Sequence, residues 1–206
     1  MDIVLSEGLE ALSIKRVADA ADYTPGALYR YFPSKDALLA SVVVRLVDAL
    51  ADELCAVEAA DPLVRVVALC RAFRNFARRS PQAFGLLGRL LAESEVWIGT
   101  DQGAPEVGRA VGRALTPLAV ALQEAGATGA IRVGDARQRA LLLWVGLQGA
   151  LQLRKQERIA PALVDADGLA YAMLTTLLTG FGADENSLAT LGAEWNRGER
   201  RKEQER

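Results

Sequence analysis

Between Ser13 and Leu38 the chain carries so many capping and helix-breaking residues that no helix there can run much past about two turns. Ser13 is a good N-cap, because its hydroxyl accepts one of the backbone N–H groups that a helix start leaves without a partner. Ile14, Val17, Ala18 and Ala21 then recur at the spacing of one buried face. Asp22 ends this helix, since aspartate tolerates turn and left-handed backbone better than most side chains. Thr24 with Pro25 supplies a second N-cap and a preorganised first helical position. The second helix turns Leu28 and Phe32 toward the first and crowds Tyr29, Arg30 and Tyr31 at its far end. Pro33 stops it, and Ser34 caps a third. Two short helices joined by a tight turn and followed at once by another helix form a helix-turn-helix pattern, which points to DNA.

Leu-Tyr-x-Tyr-Phe-x-Ser-Lys-x-Ala-Leu at 28–38, preceded by Ser-Ile-Lys-x-Val-Ala at 13–18, resembles the DNA-binding domain of the tetracycline-repressor (TetR) family. The resemblance implies that the helix from Thr24 to Phe32 enters the major groove of a double-stranded DNA operator, while the helix from Ser13 to Ala20 braces it across the backbone. Lys15 falls where such proteins reach a base edge or a phosphate. Thr24, Tyr29, Arg30, Tyr31 and Lys35 fall on phosphate-clamping positions, and Lys35 lies beside a helix N-terminus that itself attracts anions. Pro25, Gly26 and Ala27 would face bases, offering small apolar surface and close backbone approach but no bidentate donor. Specificity then leans on Lys15, Arg30 and DNA shape.

A second reading of the same residues makes Tyr29, Tyr31 and Phe32 core aromatics, and Lys15, Arg16, Arg30 and Lys35 a solvated face. Bulk charge does not separate the two. Residues 1–45 hold five basic and six acidic side chains, so a DNA footprint requires segregation of charge, with Glu7, Glu10, Asp19 and Asp36 pointing elsewhere. The family also places a full helix and a flexible arm ahead of the motif, whereas here only Met1 to Gly8 precede a turn expected at Glu7–Leu12. The expectation is a first helix shortened by one to two turns, or a start upstream of Met1.

The remainder is read as all-α. Among 206 residues, 51% hydrophobic, alanine and leucine dominate over β-branched residues in long apolar periodicities. The expected architecture is an N-terminal three-helix helix-turn-helix domain, residues 1–45, continuous with a larger helical effector-binding and dimerisation domain, residues 46–206. Ser34 to about Val57 reads as one long helix with Leu38, Val42, Leu46 and Leu50 along one side, so the boundary falls inside a helix rather than a tether. Asp61-Pro62 opens a helix to about Arg79, and Ser80-Pro81 opens another that ends near Trp97. Residues 98–104 read as a loop. Pro105 begins a helix closed by glycines 126–134, Asp135 caps one to about Gln156, and Asp165 or Asp167 caps one ending at Gly180. A last helix and a solvated tail at 199–206 follow.

The family arranges such helices around a cavity. Phe73, Phe76, Phe84, Leu87, Leu91, Trp97, Leu118, Leu122, Trp144 and Met173 are the candidate lining, with Gln148 as polar anchor, which suits a small apolar effector. Ordinary core packing is the other reading of each. Arg71, Arg74, Arg78 and Arg79 read as a wet helix face. Leu142, Gly146, Gly149, Ala150 and Leu153, with Ala172, Thr176 and Gly180, offer small residues for close helix approach. Pattern alone allows packing inside one subunit or a homodimer, and the resemblance favours the homodimer.

No membrane partner is expected, because the longest apolar run, Ala140–Leu147, is far short of a span. No signal segment opens the chain, so the expected location is cytoplasmic, with Cys55 and Cys70 reduced and serving as small buried hydrophobes. No enzyme activity, cofactor or metal is expected. There is no histidine, no phosphate-binding glycine loop after a strand, and no metal-type cysteine spacing. The rival to a DNA-binding regulator is a helical ligand-binding or scaffold dimer that has lost DNA binding through its shortened N-terminus.

Overall fold

A computed structural model of the chain describes Ile3 and residues 11–92, 103–157, 159–160 and 164–197. The described residues form helices joined by turns and contain no strand. The helices are α1 Ile14–Ala20, α2 Pro25–Tyr29, α3 Lys35–Cys55, α4 Pro62–Arg79, α5 Pro81–Ala92, α6 Gly103–Ala127, α7 Ala136–Gln152, α8 Arg154–Glu157, α9 Ala166–Phe181 and α10 Glu185–Trp195. The expected first helix, the end of α5 near Trp97, most of the loop 98–104 and the tail 199–206 lie outside the described residues.

Most helix starts follow from their caps. Asp61 accepts the N–H groups of Leu63 and Val64 at 2.7 and 3.0 Å, and Asp135 those of Arg137 and Gln138. Asp165, rather than Asp167, caps α9 through Gly168 N–H at 2.9 Å. At α10 the Ser187 hydroxyl and N–H both donate to Asp184, which lowers its carboxyl below the ordinary aspartate range.

Three ends differ from expectation. α6 begins at Gly103, two residues before Pro105, because the first turn of a helix has no N–H bond for a proline to remove. It also continues through the buried Pro117. α7 stops at Gln152 and turns at Leu153 into the short α8. α9 runs past Gly180 to Phe181, since Gly182, at φ 103°, supplies the left-handed cap.

The chain divides into two units, Met1–Asp52 with Phe76–Ala114, and Glu53–Asn75 with Leu115–Arg206. In the first, α1 packs on α2, and Ile14, Ala18, Leu28, Leu38, Val42, Leu46 and Leu50 are buried. Ala21 is exposed, because it is the C-cap rather than a member of the α1 face. Arg113 of α6 holds α3 from outside, at 2.8 Å from the Asp48 carboxylate and 3.4 Å from Asp52.

In the second unit α7 and α9 pack along their lengths. The inner face of α7 is Ala140, Leu143, Leu147 and Leu151, opposite Ala166, Ala170, Leu174 and Leu178 of α9. Cys70 is buried, which pushes its thiol up to about 12 and leaves it protonated at neutral pH. Cys55 departs from the expectation, being exposed as the last residue of α3.

The expected wet arginine face of α4 is also corrected. Arg74 is only 1% exposed. Its guanidinium donates to the Trp195 carbonyl at 2.9 Å and lies 4.4 Å from the centre of the indole ring. Arg71 donates to the Glu194 carbonyl and sits 3.0 Å from the Glu194 carboxylate. These carbonyls belong to the last turn of α10, where the Glu194 carbonyl also accepts Arg197 N–H at 3.2 Å, so the planar cations act as additional side-chain caps. Only Arg79 of the four is fully exposed. Arg74→Ala should destabilise the protein by about 2–4 kcal/mol, since it removes a charge-assisted hydrogen bond and a cation–π contact together. Arg74→Lys should recover less than half of the loss, because ammonium cannot stack and donate in one plane. Urea unfolding of the three proteins checks both statements.

Candidate nucleic-acid interface

The surface around α1, α2 and the start of α3 is built by three caps and one turn. Ser13 Oγ accepts Arg16 N–H at 3.2 Å, Thr24 Oγ1 accepts Ala27 N–H at 3.3 Å, and Ser34 Oγ accepts Ala37 N–H at 3.1 Å. Between the first two helices Asp22 adopts φ 56°, and Tyr23 N–H donates back to the Ala18 carbonyl at 2.9 Å. This is the six-to-one bond of a left-handed helix end, with aspartate where glycine is usual. α2 ends at Tyr29, earlier than the expected Phe32, because the backbone tightens so that Tyr31 and Phe32 both donate to the Leu28 carbonyl.

The turn leaves Lys15, Thr24, Pro25, Gly26, Tyr29, Arg30, Tyr31 and Lys35 exposed and Ala27 half-buried. Tyr29 is 54% and Tyr31 72% exposed, so neither is a core aromatic, whereas Leu28 just before them is buried. Tyr23, outside the candidate set, is 59% exposed at the turn itself. Lys15, Arg30 and Lys35 form no ion pair among the described residues, so their charges face solvent. The Thr24 hydroxyl accepts from the backbone and keeps its own proton to donate.

Segregation of charge is incomplete. Asp19 is exposed one helical turn after Lys15, and Asp36 is exposed beside Lys35. Glu7 and Glu10 lie outside the described residues. The chemistry on offer is therefore local: three cations, hydroxyl donors and a helix N-terminus, all suited to phosphate oxygens.

Gly26 has no steric reason among the described residues. A Cβ built there meets nothing within 4 Å, and its backbone is not left-handed. Glycine in a helix is less stable than alanine, so the missing side chain leaves room for something that approaches from outside.

Among the effector candidates, Phe76, Phe84 and Leu87 are buried in the first unit and Phe73, Leu118, Leu122 and Gln148 in the second. Trp144 and Met173 are half-buried. The side chains of Leu91 and Trp97 lie outside the described residues. Met173 sulfur covers Gly146, 2.6 Å from a Cβ built there, so these two belong to the seam between α7 and α9 within one chain. Ala150 is buried and Leu153 half-buried, while Leu142, Gly149, Ala172, Thr176 and Gly180 are exposed. Leu141, Val145 and Leu169, which lay outside the dimer set, are exposed on the same two helices.

No group of metal-ligating side chains occurs among the described residues, and none of their helices is long and apolar enough to cross a membrane. The family of bacterial regulatory proteins called tetR matches residues 4–42, and the tetracyclin repressor-like C-terminal domain matches residues 66–177, more than half of the chain. The protein belongs to the tetR family. It is thus a transcriptional regulator, with the all-α architecture of that family.

This tetR-family chain is 39% identical over 84 residues to the HTH-type transcriptional repressor KstR of Mycobacterium tuberculosis, a match spanning 39% of the chain but only 38% of that relative. Its fold is shared with a protein of unknown function from Rhodococcus sp. RHA1, at TM-score 0.68 and 21% identity over 87% of this chain and 90% of that one. It is also shared with SmeT, the repressor of a Stenotrophomonas maltophilia multidrug efflux pump, whose complex with triclosan has been solved. That likeness has TM-score 0.62 and 20% identity over 89% of this chain and 88% of SmeT.

In this tetR-family head, Gly26→Ala should raise stability by up to about 1 kcal/mol while weakening DNA binding, a pairing expected only where the empty space serves a partner. Thermal melting and DNA titration of the same preparation test it, and unchanged DNA affinity would return Gly26 to a neutral surface position.

Proposed function

We propose that the protein is a homodimeric repressor that occupies a double-stranded DNA operator through α1, α2 and the start of α3, and is released by a small apolar effector bound within residues 46–206. The observation that carries the DNA half is the set of exposed cations and tyrosines, Lys15, Tyr29, Arg30, Tyr31 and Lys35, held around a capped helix-turn-helix. In this reading Pro25, Gly26 and Ala27 approach base edges. Thr24, Tyr29, Arg30, Tyr31 and Lys35 bind phosphates, and Lys15 reaches a base edge or a phosphate. A regulator of this kind works in the cytoplasm, beside its DNA. The scaffold alternative gains no support from a head that keeps its cations in solvent.

Dimerisation is supported by an apolar stripe. Leu141, Leu142, Val145 and Gly149 of α7 and Leu169, Ala172, Thr176 and Gly180 of α9 are exposed at helical spacing. A second copy covers such a face about a two-fold axis and presents two heads to two half-sites. Effector control is supported by the buried aromatics of the candidate set and by α3, which runs unbroken from Lys35 to Cys55 and ties the head to the rest of the chain. Triclosan bound to SmeT, a protein of the same fold, also supports a small-molecule site. The effector then favours a head spacing that no longer matches the half-sites.

Fluorescence anisotropy with duplex DNA from upstream of the protein's own gene tests the reading. Lys35→Ala should weaken binding to all duplexes and reduce the slope of log affinity against log salt by about one unit. An unchanged slope removes Lys35 from the phosphate contacts, and no duplex binding by wild-type protein favours the scaffold reading.

Gly149→Arg should give monomers, since a Cβ at Gly149 meets nothing within 4 Å among the described residues and the change is tolerated until a second copy approaches. Light scattering that still reports the dimer mass would exclude this face.

A further inference from the structure

Gln148 of α7 is 2% exposed, and neither its Nε2 nor its Oε1 finds a hydrogen-bond partner among the described residues. A carboxamide offers two donors and an acceptor, and burying it without partners is worse than burying leucine of similar size. Helical geometry places it at the border between the buried side of α7 and the exposed stripe, with Leu141 two turns before it. α9 packs on the flank marked by Gly146, which Met173 covers, and Arg139, whose guanidinium lies over Phe181. The exposed stripe runs through Leu142 and Gly149. Gln148 lies at the edge of the buried side of α7, with Trp144 one turn before it and Leu151 nearly one turn after, so its amide is a polar point beside apolar positions.

We propose that Gln148 is the recognition point of the effector, and that the effector carries a neutral amide-like group, with a donor nitrogen and an acceptor oxygen on one carbon, attached to an apolar frame. This rests on the effector reading above. A donor–acceptor pair forms two parallel hydrogen bonds with a carboxamide, and rotation of the Gln148 amide by half a turn accommodates either order. A fully charged group is disfavoured, because Trp144, Leu147 and Leu151 beside it offer no counter-ion.

Melting of the full chain without added compound is the first test. Gln148→Leu and Gln148→Met should each raise the Tm by about 2–6 °C, since an amide without partners is replaced by apolar surface. A fall in both variants overturns the proposal, because the amide then has partners in the folded chain.

The second test measures thermal shifts with octanamide and 2-naphthamide, each beside its N,N-dimethyl derivative and the methyl ketone on the same frame. At least one parent amide should stabilise the wild type, with affinity about tenfold or more weaker for its two analogues and for the parent amide on Gln148→Leu. Equal shifts across a set, shifts that survive in Gln148→Leu, or none from either amide overturn it.

Operator anisotropy separates the two levels. A compound that releases wild type and Gln148→Leu equally overturns the role of Gln148 and leaves effector control standing. Amide-dependent shifts with no release from DNA support the Gln148 site and overturn effector control.

Discussion

The surface proposed to face DNA hangs on one backbone conformation. Asp22, at φ 56°, is the non-glycine residue with positive φ among the described residues, and most side chains there would cost about 1–2 kcal/mol. Aspartate reduces that penalty through its short polar side chain. The turn reverses the chain within three residues, so that Thr24 restarts a helix whose Leu28 is buried while Tyr29 and Tyr31 stay in solvent. Had α1 continued through Asp22, the helical repeat would have carried these side chains to other faces.

A different device holds the far end of the chain. Helix ends α9 and α10 are completed by arginines from elsewhere: Arg132 donates to the Gly180 carbonyl, and Arg71 and Arg74 to those of Glu194 and Trp195. Burying a guanidinium carries a large desolvation penalty. It is offset where carbonyl dipoles and an indole face surround the ion, as they do for Arg74, and where a carboxylate lies alongside, as Glu194 does for Arg71. The second unit thus uses buried charge to fix how its last helix docks.

Much of this was legible in the residues, and the misses have physical causes. Ser13, Thr24, Ser34, Asp61, Asp135 and Asp165 act locally, within about one turn of the helix they start, so their roles were visible. Arg74 was misread because its partner stands more than a hundred positions away, and helical periodicity alone places arginine on the wet side. Gly180 and Gly182 are equal to a pattern, and only the backbone tells which ends α9. Of the small residues assigned to a contact face, Gly146 and Ala150 turned inward, since a narrow side chain permits close approach on any flank of a helix. Tyr23 escaped notice because an aromatic residue beside a turn gives no local sign of which way it will point.

In the proposed homodimer, the exposed apolar stripe on α7 and α9 also ties folding to mass action. Leu141, Leu142, Val145 and Leu169 are each about half exposed in the single chain, so covering them with a second copy makes folding and assembly one linked equilibrium. The melting temperature of such a protein rises with its own concentration. A cell that lowers the copy number then loses operator occupancy twice, once because fewer molecules are present and again because each subunit is more easily unfolded and degraded. In that proposed dimer, control of abundance is a second input, acting through the same two helices.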